Sequence, residues 1–123
     1  MAGVPEEKRP RGILLLSREE QMRLISEQLL QAAMTIHTRQ FAQVPRELSE
    51  ARELCERVLP QQAAATKVVL EDVAHRLQIW RNAWPRLKTD LGFRMAVARE
   101  LRLWAQQLVT PLARKRPPKP TAL

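Results

Sequence analysis

Few residues of this 123-residue chain have side chains that could do chemistry. The single cysteine is Cys55, and the two histidines are His37 and His75. One thiol and two distant imidazoles have the wrong number and spacing for a zinc site. Cys55 lies among leucines on the apolar face of a predicted helix, where a thiol packs as a small hydrophobic group and is inert as a nucleophile.

Adjacent carboxylates occur at Glu19–Glu20 and at Glu71–Asp72. Neighbouring residues of a helix point to different faces, so neither pair can act as a catalytic dyad. The chain has 3 glycines and no glycine-rich phosphate loop. The sequence therefore predicts no catalytic residue, no metal ligand and no cofactor, and it favours a protein that is not an enzyme.

Three tryptophans, Trp80, Trp84 and Trp104, are the remaining candidates for a binding site. Exposed indole rings can stack on bases or anchor a peptide. Each tryptophan, however, lies at the same helical phase as the leucines of its segment, and large apolar groups at helical spacing usually pack in a core. We therefore predict that all three are core residues, with Arg81 beside them and able to cover a ring.

The apolar periodicity and the helix start and stop signals predict an all-α fold, a small three- or four-helix bundle with proline-marked helix junctions and flexible basic tails. The second helix has the cleanest amphipathic pattern. The first helix is predicted at roughly 17–43, after a capping box at Ser17, and the second from Pro45 to Pro60. The third is predicted at roughly 61–84, before Pro85. The fourth begins at a cap, Thr89 or Asp90, and runs to about Val109, before Pro111.

The residues that these helices turn toward the core follow from their spacing. The list is Met22, Ile25, Leu29, Leu30, Ala32, Ala33, Ile36 and Phe41; then Leu48, Ala51, Leu54, Cys55, Val58 and Leu59; then Thr66, Val69, Leu70, Val73, Leu77, Trp80 and Trp84; and finally Phe93, Val97, Leu101, Trp104 and Leu108.

A second set of apolar residues lies away from those core faces. Val68 and Ile79 are opposite the main apolar face of the third helix, and Met95 and Leu103 point away from that of the fourth. Such a helix is either central in its bundle or covered by another chain. We predict a partner-binding surface at Val68, Ile79, Met95 and Leu103, with Arg99 and Arg102 steering or anchoring the contact.

The charge is concentrated at one end of the chain. Residues 1–80 have equal numbers of basic and acidic side chains, so residues 81–123 carry the whole net charge of +8. We divide the chain into a flexible leader (1–16), a helical bundle domain (17–110) and a basic, proline-rich tail (111–123). The tail suits an acidic protein surface, nucleic acid or anionic lipid.

The basic cluster of the tail allows three interpretations. Arg114, Lys115, Arg116 and Lys119 could form a nuclear-import signal, contact phosphates, or only keep the chain soluble. No helix-turn-helix, zinc-finger or basic-zipper pattern accompanies them. The short apolar run at 13–16 is too brief for a signal peptide or a membrane span, and a lone cysteine suits a reducing compartment, so we expect a nuclear or cytoplasmic protein.

These observations favour a non-enzymatic interaction module, a small helical subunit or adaptor that docks against other helical proteins in a larger intracellular complex. The alternative is a nucleic-acid-associated protein that binds through its basic C-terminal end. Self-association through the first helix is a third hypothesis, because its 3,4,3,4 apolar spacing suits a coiled coil as well as a bundle. The sequence identifies neither the partner nor the process.

Overall fold

The computed structural model describes residues 12–114, with side chains described through residue 110. Every long element within this range is an α-helix, which confirms the all-α bundle. The four long helices are α1 (Arg18–His37), α2 (Val44–Val58), α3 (Ala64–Leu87) and α4 (Leu91–Arg114), and short 3₁₀ turns lie at Phe41–Gln43 and Leu59–Gln61.

Capping side chains fix the starts of α1 and α4, as predicted. The backbone N–H of Glu20 donates to the Ser17 hydroxyl over 3.1 Å, and the N–H of Ser17 donates to the Glu20 carboxylate over 3.4 Å. On α4, the N–H of Phe93 donates to the Asp90 carboxylate over 2.8 Å. Each cap satisfies backbone donors that have no partner inside the helix.

The predicted end of the first helix was wrong, because α1 stops at His37 and Phe41 belongs to a separate turn. The N–H of Gln40 donates to the Thr35 carbonyl, and the N–H of Arg39 to that of Ile36. These two bonds close a Schellman motif, which needs a left-handed residue after the cap. Here that residue is Arg39, with φ 64°. Glycine normally marks this position, so no stop signal for the helix is visible in the sequence.

Replacing Arg39 with glycine should stabilise the fold by about 0.5–1 kcal/mol, because glycine adopts positive φ without steric cost. Chemical denaturation followed by far-UV circular dichroism measures this gain. The matched control is Thr38→Gly, at a φ of −88°, where glycine should only destabilise. Equal effects of the two glycines would contradict the assignment of strain to Arg39.

Prolines mark the junctions less strictly than predicted. Pro45 lies in the first turn of α2, as expected. The predicted stops at Pro85 and Pro111 were wrong, since α3 continues to Leu87 and α4 to Arg114. A proline removes one helical hydrogen bond near the helix end. After Pro85 the helix is held by the bond from the Lys88 N–H to the Trp84 carbonyl, at 2.8 Å.

The helices do not pack simply in chain order. α1 has its most extensive contact with α4, and it also packs against α2, which packs against α3. The backbones of α3 and α4 rarely approach each other although a short turn joins them. Their contact includes the stacked rings of Trp80 and Trp104, whose centroids are 5.0 Å apart.

Most predicted core residues are buried in one continuous core. Two predictions failed, because Leu30 is 46% exposed and Val69 is 42% exposed. The ordered core also begins before residue 17: residues 12–15 are helical and Ile13 is buried. Residues 1–11 of the predicted leader and 115–123 of the tail lie outside the described residues.

Candidate functional site

The tryptophans do not form an open aromatic platform. Trp84 and Trp104 are buried, and Trp80 is half-buried. The indole N–H of Trp84 donates to the carbonyl of Phe41 over 3.0 Å, and the Trp84 ring meets the edge of the Phe41 ring. Their core placement agrees with their helical phase, and these rings fix the positions of helices.

Cys55 is a buried thiol. Burial, and to a lesser extent the nearby Glu56 carboxylate, raises the pKa of the Cys55 thiol from 9.0 to about 12. The thiolate is the reactive form, so this cysteine is inert at neutral pH. Because the folded-state pKa is the higher one, any stability linked to the neutral thiol is lost only as the pH rises from about 9 toward 12.

The histidines do not join Cys55 in a metal site. His37 and His75 are both exposed. Among the described residues no three histidine, cysteine or acidic side chains are grouped so that they could hold a metal ion. No helix in the same range is long and apolar enough to cross a membrane.

The α3 ridge, which we define as Val68 and Ile79, is open to solvent at 66% and 49% exposure. Within the described part of the chain, α3 is therefore uncovered on this side. The two side chains are about 16 Å apart along the axis. Asp72 and His75 lie between them along α3, and around the helix axis each is within about 40° of Val68 and Ile79. Both are exposed. The α3 ridge thus consists of two separated apolar residues rather than a continuous patch.

The predicted residues of α4 do not lie on one surface with the α3 ridge. Trp104 marks the side of α4 that faces α3, because it stacks on Trp80. Met95 is nine residues earlier, which is about 180° around the helix, so it faces away from α3. Leu103 lies about 100° from Trp104 and is 40% exposed. Arg99 is exposed on the outer face of α4.

Met95 instead lines one of two depressions between α1 and α4, and Arg102 lines both; we call the two together the arginine groove. The first half lies between the end of α1 and the start of α4, and the second between the middle of α1 and the end of α4. The two helices are therefore antiparallel, and Arg102 lies where the two halves adjoin. The lining residues are Ile36, His37, Arg39, Leu91, Arg94, Met95, Ala98 and Arg102 in the first half, and Arg23, Ser26, Glu27, Leu30, Arg102, Ala105, Gln106 and Val109 in the second.

Small side chains let α1 and α4 approach closely beneath this groove. Ser26 and Ala105 are both buried, and the Ser26 hydroxyl donates to the Ala105 carbonyl. Ala98, also buried, lies two turns earlier on α4. Larger apolar side chains stand at the edges. Leu30, Leu91 and Met95 are 46%, 60% and 62% exposed, and Met34, one turn after Leu30 on the same face, is 56% exposed.

The charges along the arginine groove are mostly of one sign. Of the described residues, four arginines line it, at positions 23, 39, 94 and 102, and one acidic residue, Glu27. Salt bridges in the described part of the chain join Arg46–Glu50, Arg52–Glu56 and Arg76–Asp72, so none uses a groove arginine.

Arg94 is held in place at the start of α4. Its guanidinium donates to the Lys88 carbonyl over 3.1 Å and lies 4.9 Å from the centroid of the Phe41 ring. Trp84 in turn packs against Phe41. Phe41 and Trp84 thus support one wall of the arginine groove. Trp84 is linked to the candidate site in this indirect way.

The sequence pointed to part of this site. Met95 and Arg102 were among the predicted partner residues, whereas Leu30 was assigned to the core and Met34 and Leu91 were not selected. The i,i+4 spacing of Leu30 and Met34 was the available signal. The basic residues Lys115, Arg116 and Lys119 lie outside the described residues, and only the backbone of Arg114 is described, at the end of α4.

Comparison with known protein families, curated proteins and solved structures finds no match to this chain.

Proposed function

We propose that this chain is a non-enzymatic protein–protein interaction module, a small helical subunit or adaptor of an intracellular complex, and that it docks a partner helix in the arginine groove. The observation that carries the proposal is that exposed Leu30, Leu91 and Met95 line one seam between two helices, with exposed Met34 one turn after Leu30.

Scattered exposed apolar residues are ordinary on a protein surface, but aligned ones beside a concave seam are typical of helix-in-groove recognition. Methionine side chains suit such a surface because they are flexible and polarisable and adapt to a partner. The α3 ridge is the weaker candidate, since charged and polar side chains interrupt it.

The test compares two double variants of the full chain. Leu30→Glu with Met95→Glu places carboxylates in the arginine groove, and Val68→Glu with Ile79→Glu makes the same change on the α3 ridge. We expect a partner that co-purifies with the wild-type chain from its native cells to be reduced about 10-fold or more by the groove variant and retained by the ridge variant, because central apolar contacts dominate such interfaces.

All four substituted side chains are exposed, so both variants should keep the helical far-UV signal and the thermal midpoint within a few degrees. Quantitative mass spectrometry of the purified complexes measures the partner. A wild-type chain that purifies alone would overturn the proposal. Loss of the partner with the ridge variant only would move the site to α3.

A further inference from the structure

The arginine groove has a chemical preference as well as a shape. Among the residues that the structure describes, its first half contains Arg39, Arg94, Arg102 and His37 with no acidic residue, and Glu27 is the single acid of the second half. A third depression, between the starts of α1 and α3 and the end of α4, includes one arginine, Arg18, and one carboxylate, Glu19, in its lining. A charge preference is thus a property of the α1–α4 seam and is not shared by every depression of the bundle.

From this charge pattern we infer that the partner of the arginine groove is an acidic amphipathic helix, with apolar residues on one face and glutamates or aspartates along its flanks. The inference rests on the proposed function and adds the chemistry of the partner. Leu30 and Met95 would receive the apolar face, and the flanking carboxylates would meet Arg23, Arg39 and Arg102, which have no salt bridge within the described part of the chain.

The length of the groove agrees with a helical partner. From Leu91 to Val109 the two halves of the groove together extend over about 27 Å of α4, which is the length of a helix of about 18 residues. Arg102 lies near the middle and lines both halves, so it can meet a flanking carboxylate at the centre of such a helix.

Two other occupants fit the groove less well. A second copy of this chain would bring the same arginines of two copies together across a symmetric contact, and like charges placed opposite each other oppose association. A nucleic acid would match the arginines but would leave Leu30, Leu91 and Met95 without an apolar partner. The tryptophans that could stack on bases are buried or half-buried in the core.

The methionines provide a direct readout. Full-length protein labelled with carbon-13 at the methionine methyl groups would be titrated with a synthetic amphipathic peptide of about 18 residues, with leucines at helical spacing and glutamates on both flanks. We expect the Met34 and Met95 methyl signals to shift. Met22, which is buried in the core, should not move.

A peptide with lysine in place of every glutamate keeps the apolar face and reverses the charge of the flanks. We expect it to bind about 10-fold more weakly than the glutamate peptide at low salt, because three exposed ion pairs together contribute about that factor. The difference should shrink as salt is added.

Arg102→Glu should narrow or reverse the preference for the glutamate peptide. Arg57→Glu is the matched control, since it makes the same charge change at an exposed arginine of α2 that lies outside the groove lining, and it should leave the preference nearly intact. Equal binding of the two peptides, or binding that leaves Met95 unshifted, overturns the inference.

Two further outcomes overturn it in favour of another occupant. One is a single-stranded oligothymidine that shifts Met95 at lower concentration than the glutamate peptide. The other is a concentration-dependent dimer, seen in sedimentation, whose formation shifts Met95 without any peptide. If the native partner depends on Leu30 and Met95 while the glutamate peptide fails to bind, the partner chemistry is wrong and the interaction role stands. If the native partner ignores those residues, the proposed function itself fails.

Discussion

Replacing Trp84 with alanine is expected to destabilise the folded chain by about 3–5 kcal/mol. The side chain is 2% exposed. Its ring centroid lies 5.8 Å from that of Phe41 and 6.0 Å from that of Phe93. Alanine would leave a cavity between the end of α3 and the start of α4. It would also leave the Phe41 carbonyl without the indole N–H that now donates to it.

Urea denaturation followed by far-UV circular dichroism measures this loss without relying on tryptophan fluorescence, which the substitution itself changes. A small domain has a free energy of unfolding of about 5–15 kcal/mol, so the variant should approach the limit of stability. If Trp84→Ala does not fold at all, Trp84→Phe keeps the prediction testable. This variant retains an aromatic ring and removes the hydrogen bond, and it should lower the free energy of unfolding by less than Trp84→Ala does.

The matched control for Trp84 is Trp80→Ala, because Trp80 is on the same helix but half-buried. It should cost clearly less than Trp84→Ala, with its main effect on the contact between α3 and α4 through Trp104. Equal losses at the two positions would show that Trp84 has no special role in joining α3 to the turn at Phe41.

Helix faces and caps were predictable from the sequence because they depend on local chemistry. Ser17 and Glu20 form the capping box that their spacing indicates, and Asp90 caps α4. The phases of Trp84 and Trp104 correctly placed them in the core. In each case residues a few positions apart determine the outcome, so a single sequence contains the needed information.

The helix ends and the site depended on information that is not local. Arg39 adopts a left-handed conformation usually marked by glycine, and α3 passes through Pro85 at the point where Trp84 packs in the core. The arginine groove joins the first and last helices of the bundle. Periodicity shows which face of a helix is apolar but not which helix covers it, so Leu30 was assigned to the core.

The second large effect concerns Gln21, a fully buried polar side chain at the start of α1. Its amide nitrogen donates to the Ile13 carbonyl and to the Gln61 side chain, each over 2.8 Å. Its oxygen accepts from the Gln62 side chain over 2.7 Å. One side chain thus joins the segment before α1 to the turn between α2 and α3.

Gln21→Ala should therefore cost about 2–4 kcal/mol, because it creates a cavity and leaves buried donors and acceptors without partners. The loss should be larger than for Gln62→Ala. The double variant should be less destabilised than the sum of the singles, with a coupling of about 1–2 kcal/mol, since both remove the same hydrogen bond. Urea denaturation measures all three variants, and strict additivity would contradict the network.

The Gln21→Ala variant also distinguishes an effect on stability from an effect on the proposed function. Gln21 does not line the arginine groove, so a folded Gln21→Ala protein should retain the Met95 methyl shift and the preference for a glutamate-flanked peptide. Arg102→Glu should have the opposite profile, with altered peptide preference and little change in the urea midpoint, because Arg102 is exposed. If Gln21→Ala weakened peptide binding as much as Arg102→Glu at temperatures where both variants are folded, binding would depend on overall stability rather than on the charges of the groove.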